Sequence, residues 1–264
     1  MGIFGRTKKA QKETSQTVLS FVLLSDISLD IDLLAKNLFE DWGIQLAAPA
    51  EEADGDLPNL VTEVDNMMVI VSLMPGPVPG GEAVEHAKNN FQWPEAVAVT
   101  ESHQAHAMVA VMSNQGQPIT EVATLQTKLC ASCLRLPNAI AINAAGTVFE
   151  PEFYVESAKL SIEDERFPIF NHVFFGIYST DDGKTVSGYT YGLESLGKQD
   201  LEIINSPNGP EEVFNLLQAV ASYVIMYDVV LKHGETLGFS AEQKLPITES
   251  NAVATTGKTL KIGF

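Results

Sequence analysis

The organisation of this chain is set by residues 172–234, which begin His172-Val-Phe-Phe-Gly-Ile-Tyr-Ser179 and pass through Asp181-Asp-Gly-Lys184 into Ser187-Gly-Tyr-Thr-Tyr-Gly192. The outer two stretches are rich in aromatic and β-branched residues, and Gly183 can take the positive φ of a tight turn, so together they predict a hairpin. Gln199-Asp-Leu-Glu-Ile-Ile-Asn205 predicts a third strand. Strands joined by such short connections most simply form an antiparallel meander.

A long apolar helix is predicted after these strands, over about 211–232. Pro210 suits its first turn, and Lys232-His-Gly234 resembles a cationic last turn followed by a left-handed cap. The apolar run is interrupted only by Asn215, Gln218, Ser222 and Asp228. A bilayer span is the alternative, but these interruptions and the flanking strands favour a helix buried in the protein. We therefore expect no membrane span.

The N-terminal half shows the element order of a split βαβ or ferredoxin-like unit. Its predicted strands cover residues 17–24, 60–64, 67–73, 95–100, 105–112 and 139–143, and its predicted helices cover about 29–42, after Ser28 as the N-cap, 82–91 and 118–134. Because strict alternation of strand and helix is incomplete, we expect an α+β fold with mixed, largely antiparallel sheets. Residues 17–264 are expected to form one compact domain. A division into subdomains 17–146 and 151–264 stays open.

Charge and cysteine content restrict the partners and the compartment. The formal net charge is -18, yet the first twelve residues hold Arg6, Lys8, Lys9 and Lys12 and no acid. Residues 1–16 are therefore predicted to be a disordered basic tail, and the acidic remainder disfavours nucleic-acid binding. Two cysteines are too few for a disulfide framework, which agrees with a cytoplasmic location.

The densest group of candidate metal ligands is Glu101, His103 and His106. Two imidazoles three residues apart can share a metal on a helical turn, but on a strand they point to opposite faces. The sequence after Ala105 resembles a strand, so no metal is expected and these three residues stay weak candidates. Cys130-Ala-Ser-Cys133 has redox spacing, but it lies inside a predicted helix and is interpreted as a buried structural pair.

The turn after the second strand of the meander is the candidate interaction surface. Gly192-Leu-Glu-Ser-Leu-Gly197 lacks the features of a phosphate-binding loop, and its glycines are interpreted as turn residues that let both leucines enter the core. Two tyrosines on alternate positions share a face, which suits partner recognition. The candidate interaction residues are Tyr189, Tyr191, Glu194, Lys198 and Glu202.

Five sequence blocks resemble an uncharacterised bacterial family, domain of unknown function 4261. They are Ile70-Val-Ser-Leu-Met-Pro-Gly-Pro-Val-Pro79, His103-Gln-Ala-His-Ala-Met-Val109, Tyr189-Thr-Tyr-Gly-Leu-Glu-Ser-Leu-Gly197, Leu201-Glu-Ile-Ile-Asn-Ser206 and Gly234-Glu-Thr-Leu-Gly238. The resemblance extends from about Thr17 to the C-terminus. It implies a bacterial, soluble, non-secreted protein, and it supplies no activity and no catalytic residues.

Two functional hypotheses stay open. The favoured one is a non-catalytic cytoplasmic module that binds another protein, without a cofactor, and with homo-oligomerisation left open. The alternative is a metal-assisted or His/carboxylate hydrolase with a site around Glu101, His103, His106 and His172. The first hypothesis predicts an exposed apolar or aromatic patch. The second requires a concave pocket in which those four side chains converge.

Overall fold

A computed structural model describes residues 16–46, 57–113, 116–180, 183–238 and 243–264. Apart from Gln16, the predicted basic tail lies outside these residues. Within them the chain forms twelve strands and seven α-helices, arranged around two six-stranded sheets. The first sheet belongs to the N-terminal half and the second to the C-terminal half, so the two halves do not share a sheet.

The first sheet is antiparallel throughout and has the order β2-β3-β4-β1-β5-β6. Its strands are β1 (Gln16–Leu24), β2 (Asn59–Val64), β3 (Met67–Pro75), β4 (Ala105–Ser113), β5 (Ala139–Ala144) and β6 (Thr147–Phe149). A split βαβ unit is present, because β4 and β5 run parallel to each other with β1 between them and are joined by a helix. It is not the unit that the predicted order describes, because that order takes the helices over about 29–42 and 82–91, whereas the helix of the observed unit lies between β4 and β5.

Helices cover both faces of the first sheet. They are α1 (Ile31–Trp42), α2 (Glu82–Ala87), α3 (Ala96–Glu101) and α4 (Ile119–Cys133). The central strand β1 is buried on both sides, since Val22 and Leu24 join the main core with α1 and α4, whereas Leu23 packs with apolar residues of α2 and α3. This explains why β1 carries few polar residues.

The second sheet has the order β10-β11-β12-β9-β8-β7, and only the β9–β12 pair is parallel. Its strands are β7 (Phe174–Thr180), β8 (Thr185–Tyr191), β9 (Leu201–Ser206), β10 (Thr236–Leu237), β11 (Leu245–Asn251) and β12 (Lys258–Ile262). The predicted meander is confirmed as β7, β8 and β9. The remaining helices are α5 (Pro151–Glu163), α6 (Ile169–His172) and α7 (Pro210–Met226).

The helix α7 packs across β7, β8 and β9, as the apolar pattern predicts. It is shorter than predicted, because it ends at Met226 rather than near Lys232. Asp228 adopts a left-handed φ of 50°, and the Val229 N–H bonds back to the Val224 carbonyl, which closes the helix. Asp228 therefore ends α7 before the predicted glycine cap is reached.

Residues 95–100, predicted to be a strand, form the helix α3 (Ala96–Glu101) instead. A short run of Ala, Val and Thr fits either period, so its pattern does not decide between the two. Tertiary packing decides, because Ala96 and Thr100 are both buried and lie four residues apart, on one helical face.

Candidate functional site

His103 has a structural role, because hydrogen bonds hold both of its ring nitrogens to the backbone. It is buried just ahead of β4, its Nε2 accepts a hydrogen bond of 2.9 Å from the Val78 N–H, and its Nδ1 bonds the Thr100 carbonyl oxygen. Since a carbonyl can only accept, Nδ1 carries the proton. Both ring nitrogens are thus engaged by the backbone, and His103 holds the loop before α2 against the start of β4.

His106 and Glu101 lie in different environments. His106 is buried on β4, its Nδ1 lies 3.0 Å from the Gly76 carbonyl oxygen, and its ring meets the edge of Phe21. Burial lowers the pKa of His106. Glu101 is exposed at the end of α3.

His172 was predicted to be the first residue of a strand, but it is the last residue of the helix α6. Its side chain is buried near α4. Its Nε2 lies 3.0 Å from the Ala123 carbonyl oxygen and 2.6 Å from Thr127 Oγ1. Burial lowers the pKa of His172 to about 4, so the imidazole is neutral at neutral pH. The cavity beside His172 is not lined by Glu101, His103 or His106. The structure thus does not bring the four residues of the hydrolase hypothesis into this cavity.

The depressed pKa of His172 predicts a pH-dependent stability difference. Because the unfolded chain takes up this proton at a higher pH than the native one, stability due to neutral His172 is lost as pH falls from about 6.5 toward 4. When the pH is lowered from about 7 to about 5, wild type should therefore lose about 2 kcal/mol more free energy of unfolding than His172→Gln does.

Urea denaturation at both pH values measures this gap. An NMR titration of the wild-type imidazole gives an independent check, because the His172 signal should not shift over this interval. A His172 signal that titrates near its ordinary pKa would contradict the prediction.

The two candidate tyrosines differ in exposure. Tyr189 is half-buried, with its ring 6.2 Å from that of Phe174 and 6.3 Å from that of Tyr178. Tyr191 is more exposed, and it lines a cavity together with Glu194. Tyr189 is therefore mainly a packing residue, whereas Tyr191 and Glu194 can meet a ligand. Their role in interaction stays a prediction.

Lys198 and Glu202 both form ion pairs or hydrogen bonds with other residues of the chain. The Lys198 ammonium lies 2.5 Å from Asp228 Oδ1, at the end of α7. Glu202 is fully buried in β9, and its carboxylate accepts hydrogen bonds from the Val253 and Ala254 N–H groups. Lys261 and Thr259 complete its surroundings, each 2.8 Å from Glu202 Oε2. Glu202 thus ties the β11–β12 loop to β9 and is not a surface residue.

A polar pocket of about 300 Å³ lies where the two sheets approach each other. Its walls come from β1, the β5–β6 turn, α2, α6, the turn after β8 and the β11–β12 loop. The polar side chains that line it are Ser20, His86, Asn171, His172, Tyr191, Glu194, Ser195, Asp200, Thr255, Thr256, Lys258 and Thr259. Most of these residues are far apart in sequence, so only the fold assembles the pocket.

Asp200 is the buried acid of the polar pocket. Its Oδ1 accepts hydrogen bonds from Thr190 Oγ1 at 2.8 Å and from the Leu193 N–H at 3.2 Å, and its Oδ2 accepts from the Gly192 N–H at 3.3 Å. Burial raises the pKa of Asp200 to about 6, and these hydrogen bonds only partly oppose that effect. Asp200 was predicted to lie at the start of the third strand, and nothing in the sequence indicated its burial.

An apolar groove lies on the other side of α6, between α5 and α7. It consists of two adjoining depressions of about 480 and 430 Å³, which share Ser157, Leu160 and Phe170. The aromatic residues of the first depression are Trp93, Phe149, Phe153, Phe170, Phe174, Phe175 and Phe214. The second depression is lined by five apolar residues, Leu160, Phe167, Ile169, Phe170 and Met226, and by Ser157, Ser161, Arg166, Gln218 and Ser222. Leu160 is 65% exposed and Met226 53% exposed, so the groove leaves large apolar side chains in contact with solvent.

Two facing stripes form the walls of the apolar groove. On α5, Phe153, Ser157 and Leu160 follow the i, i+4, i+7 spacing of one helical face. On α7, the residues that line the groove recur every four positions: Phe214, Gln218, Ser222 and Met226. This groove was not predicted, although the seven-residue spacing of Phe153 and Leu160 is visible in the sequence.

The Cys130 and Cys133 thiols are free and fully buried, which confirms their structural interpretation. Burial raises the pKa of Cys133 to about 12 and also raises that of Cys130 strongly. Thiols of this kind are poor nucleophiles near neutral pH.

These features define an α+β protein with two mostly antiparallel sheets, a polar pocket between them and an apolar groove on α5 and α7. The family described as a domain of unknown function, DUF4261, matches residues 189–263. The resemblance is thus confirmed from residue 189, near the end of β8, through β12, a segment that contains three of the five sequence blocks. Comparisons with curated proteins and with solved structures gave no match. No helix among the described residues is long and apolar enough to cross a membrane.

Proposed function

We propose that this chain is a non-catalytic protein-interaction module whose apolar groove binds an amphipathic helix with a basic polar face. The facing stripes of α5 and α7 carry this proposal. Apolar side chains stand at both ends of each stripe, with the polar Ser157, Gln218 and Ser222 between them. A third helix can match this spacing, as in helix-in-groove recognition. The span from Phe214 to Met226 corresponds to about 18 Å, which suits a partner helix of about 12 residues.

Charge supports a basic partner. Two acidic side chains, Glu150 and Glu156, line the groove, and Glu152, Glu211 and Glu212 stand in the first turns of α5 and α7. The nearby cations already have acidic partners, since Lys159 pairs with Asp41 and Arg166 with Asp164. A lysine- or arginine-rich polar face would complement this rim, and the chain's net charge of -18 would speed encounter with it.

The proposed setting is the bacterial cytoplasm. Two reduced, buried thiols support a reducing compartment. The bacterial origin is supported only by the sequence blocks described above. The acidic surface also supports a protein partner over a nucleic acid, because it would repel a phosphate backbone.

Leu160→Glu tests the proposal, since it places a charge in the centre of the groove on an exposed side chain. The probe is a fluorescent, helix-stabilised peptide of about 12 residues, with leucines at i, i+3, i+4 and i+7 and lysines elsewhere. Fluorescence anisotropy should show binding to wild type and at least about tenfold weaker binding to Leu160→Glu. Phe39→Glu, an exposed apolar position on α1 outside the groove, is the matched control and should bind as wild type does.

A second peptide with glutamates in place of the lysines tests the charge argument, and it should bind more weakly than the lysine peptide. Equal binding of the two peptides, or equal binding of the lysine peptide to wild type and Leu160→Glu, would contradict the proposal. Sedimentation velocity adds a separate outcome. A wild-type dimer that Leu160→Glu dissociates would assign the groove to a second copy of this chain instead.

A further inference from the structure

The polar pocket contains a buried carboxylate without a cationic partner. Asp200 is 7% exposed, and among the described residues no lysine, arginine or histidine forms an ion pair with it. Its neighbours supply two backbone N–H groups and one hydroxyl, of which only the 3.3 Å bond from Gly192 reaches Oδ2. A carboxylate can accept about four hydrogen bonds, so Oδ2 keeps unused acceptor capacity toward the pocket.

A second buried acceptor lines the same pocket. Asn171 is 1% exposed, and its Nδ2 donates a 2.9 Å hydrogen bond to the Tyr154 carbonyl oxygen. Its Oδ1 receives no hydrogen bond from any residue that the structure describes. Buried polar atoms almost always have partners, and an unpaired one calls for an explanation such as a ligand. Asp200 therefore presents an oxygen with unused acceptor capacity, and Asn171 presents an oxygen that no described residue pairs.

We propose that the polar pocket binds a small organic cation, whose amine or guanidinium group donates hydrogen bonds to the Asp200 carboxylate and to Asn171 Oδ1. Such a group brings several donors and a positive charge, which are what these two acceptors lack. Glu194 adds negative charge at the rim, and the Lys258 ammonium is turned to Glu249, 2.8 Å away. A volume of about 300 Å³ suits a small molecule rather than a polypeptide. This site is separate from the apolar groove and does not depend on the proposed function.

Binding at this site is coupled to protonation. The titratable side chains that line the pocket with Asp200 are His86 from α2, His172 from α6, Tyr191 from the end of β8, Glu194 from the turn after β8, and Lys258 from β12. Burial raises the pKa of Asp200 to about 6, so the carboxyl group is mostly ionised at neutral pH and mostly protonated near pH 5. Protonation removes the charge that attracts a cation, so affinity should fall about tenfold from about pH 7.5 to pH 5.

Isothermal titration calorimetry with agmatine, which carries both an amine and a guanidinium group, tests the proposal. The uncharged 1,5-pentanediol serves as the ligand control. Wild type should bind agmatine in preference to the diol, and Asp200→Asn, which keeps the size of the side chain, should bind agmatine at least about tenfold more weakly. Glu63→Gln removes one exposed carboxylate from β2, far from the pocket in the sheet order, and should bind as wild type does.

Circular dichroism and thermal unfolding show whether Asp200→Asn is folded. If it is not, the wild-type pH series decides, because the expected loss of affinity toward pH 5 does not require the variant. The proposal is overturned by absence of agmatine binding to wild type at millimolar concentration, by diol binding of equal strength, or by an affinity unchanged both in Asp200→Asn and at low pH.

Discussion

Replacing Glu202 by alanine is expected to lower the free energy of unfolding by about 3 to 5 kcal/mol, the range found when one partner of a buried ion pair is removed. Glu202 is fully buried, and Lys261 lies 2.8 Å from its Oε2. The Val253 and Ala254 N–H groups donate to Oε1 at 2.9 and 2.8 Å. The substitution would leave these donors without their acceptor and the Lys261 ammonium without its counter-charge.

The loss should also depend on pH. Burial alone would raise the pKa of Glu202, but hydrogen bonds from Lys261, the Ala254 N–H, Thr259 and the Val253 N–H together hold it below its usual range. A carboxylate whose pKa is lowered on folding stabilises the native state above the unfolded pKa, and this contribution is lost as pH falls through the folded one. The difference between wild type and Glu202→Ala should therefore be largest near neutral pH and shrink in acid.

Urea denaturation of both proteins measures this difference. Glu249→Ala is the control, because Glu249 forms an exposed ion pair with Lys258 on the neighbouring strands, and such pairs add little to stability. Its denaturation midpoint should stay close to that of wild type. Equal midpoints for Glu202→Ala and Glu249→Ala would show that the buried network does not hold the β11–β12 loop.

Gly192→Ala is expected to destabilise the protein by about 2 to 3 kcal/mol or more, through backbone strain combined with overlap. Gly192 has a φ of 112°, a backbone conformation that residues with a Cβ rarely adopt. A Cβ at this position would also overlap the carbonyl oxygen of His172, a backbone atom that cannot rotate away. The substitution should disturb the polar pocket too, since the Gly192 N–H donates to Asp200.

Gly197→Ala is the matched control at the other end of the same turn. Its φ of 71° is also positive, but a Cβ there would meet nothing within 4 Å. The control should lose about 1 kcal/mol, from the left-handed backbone alone. Thermal and urea unfolding of the pair separate the two effects. Equal losses of stability in Gly192→Ala and Gly197→Ala would mean that the overlap with the His172 carbonyl oxygen does not destabilise the protein.

Much of the site could not be predicted from the sequence, and particular residues show why. Tyr191 and Glu194 could be named because they stand beside a turn with a strong signal, and the structure places both at the polar pocket. Glu202 stood in the same stretch, but no local pattern distinguishes a solvated acid from a buried one with partners fifty residues away. The sequence likewise did not show that Asp200 lacks a cationic partner or that Asn171 Oδ1 lacks a donor, because such pairing depends on the folded environment.

The sequence by itself determined the α+β class, the meander β7–β8–β9, the burial of β1 and α7, and the structural role of the Cys130–Cys133 pair. These features follow from local periodicity and turn chemistry, which act within a few residues. Only the tertiary structure decided that residues 96–101 are helical, that α7 ends at Met226, and that two separate sheets exist. It alone assembled the polar pocket and the apolar groove, because both join side chains from segments that only long-range packing brings together.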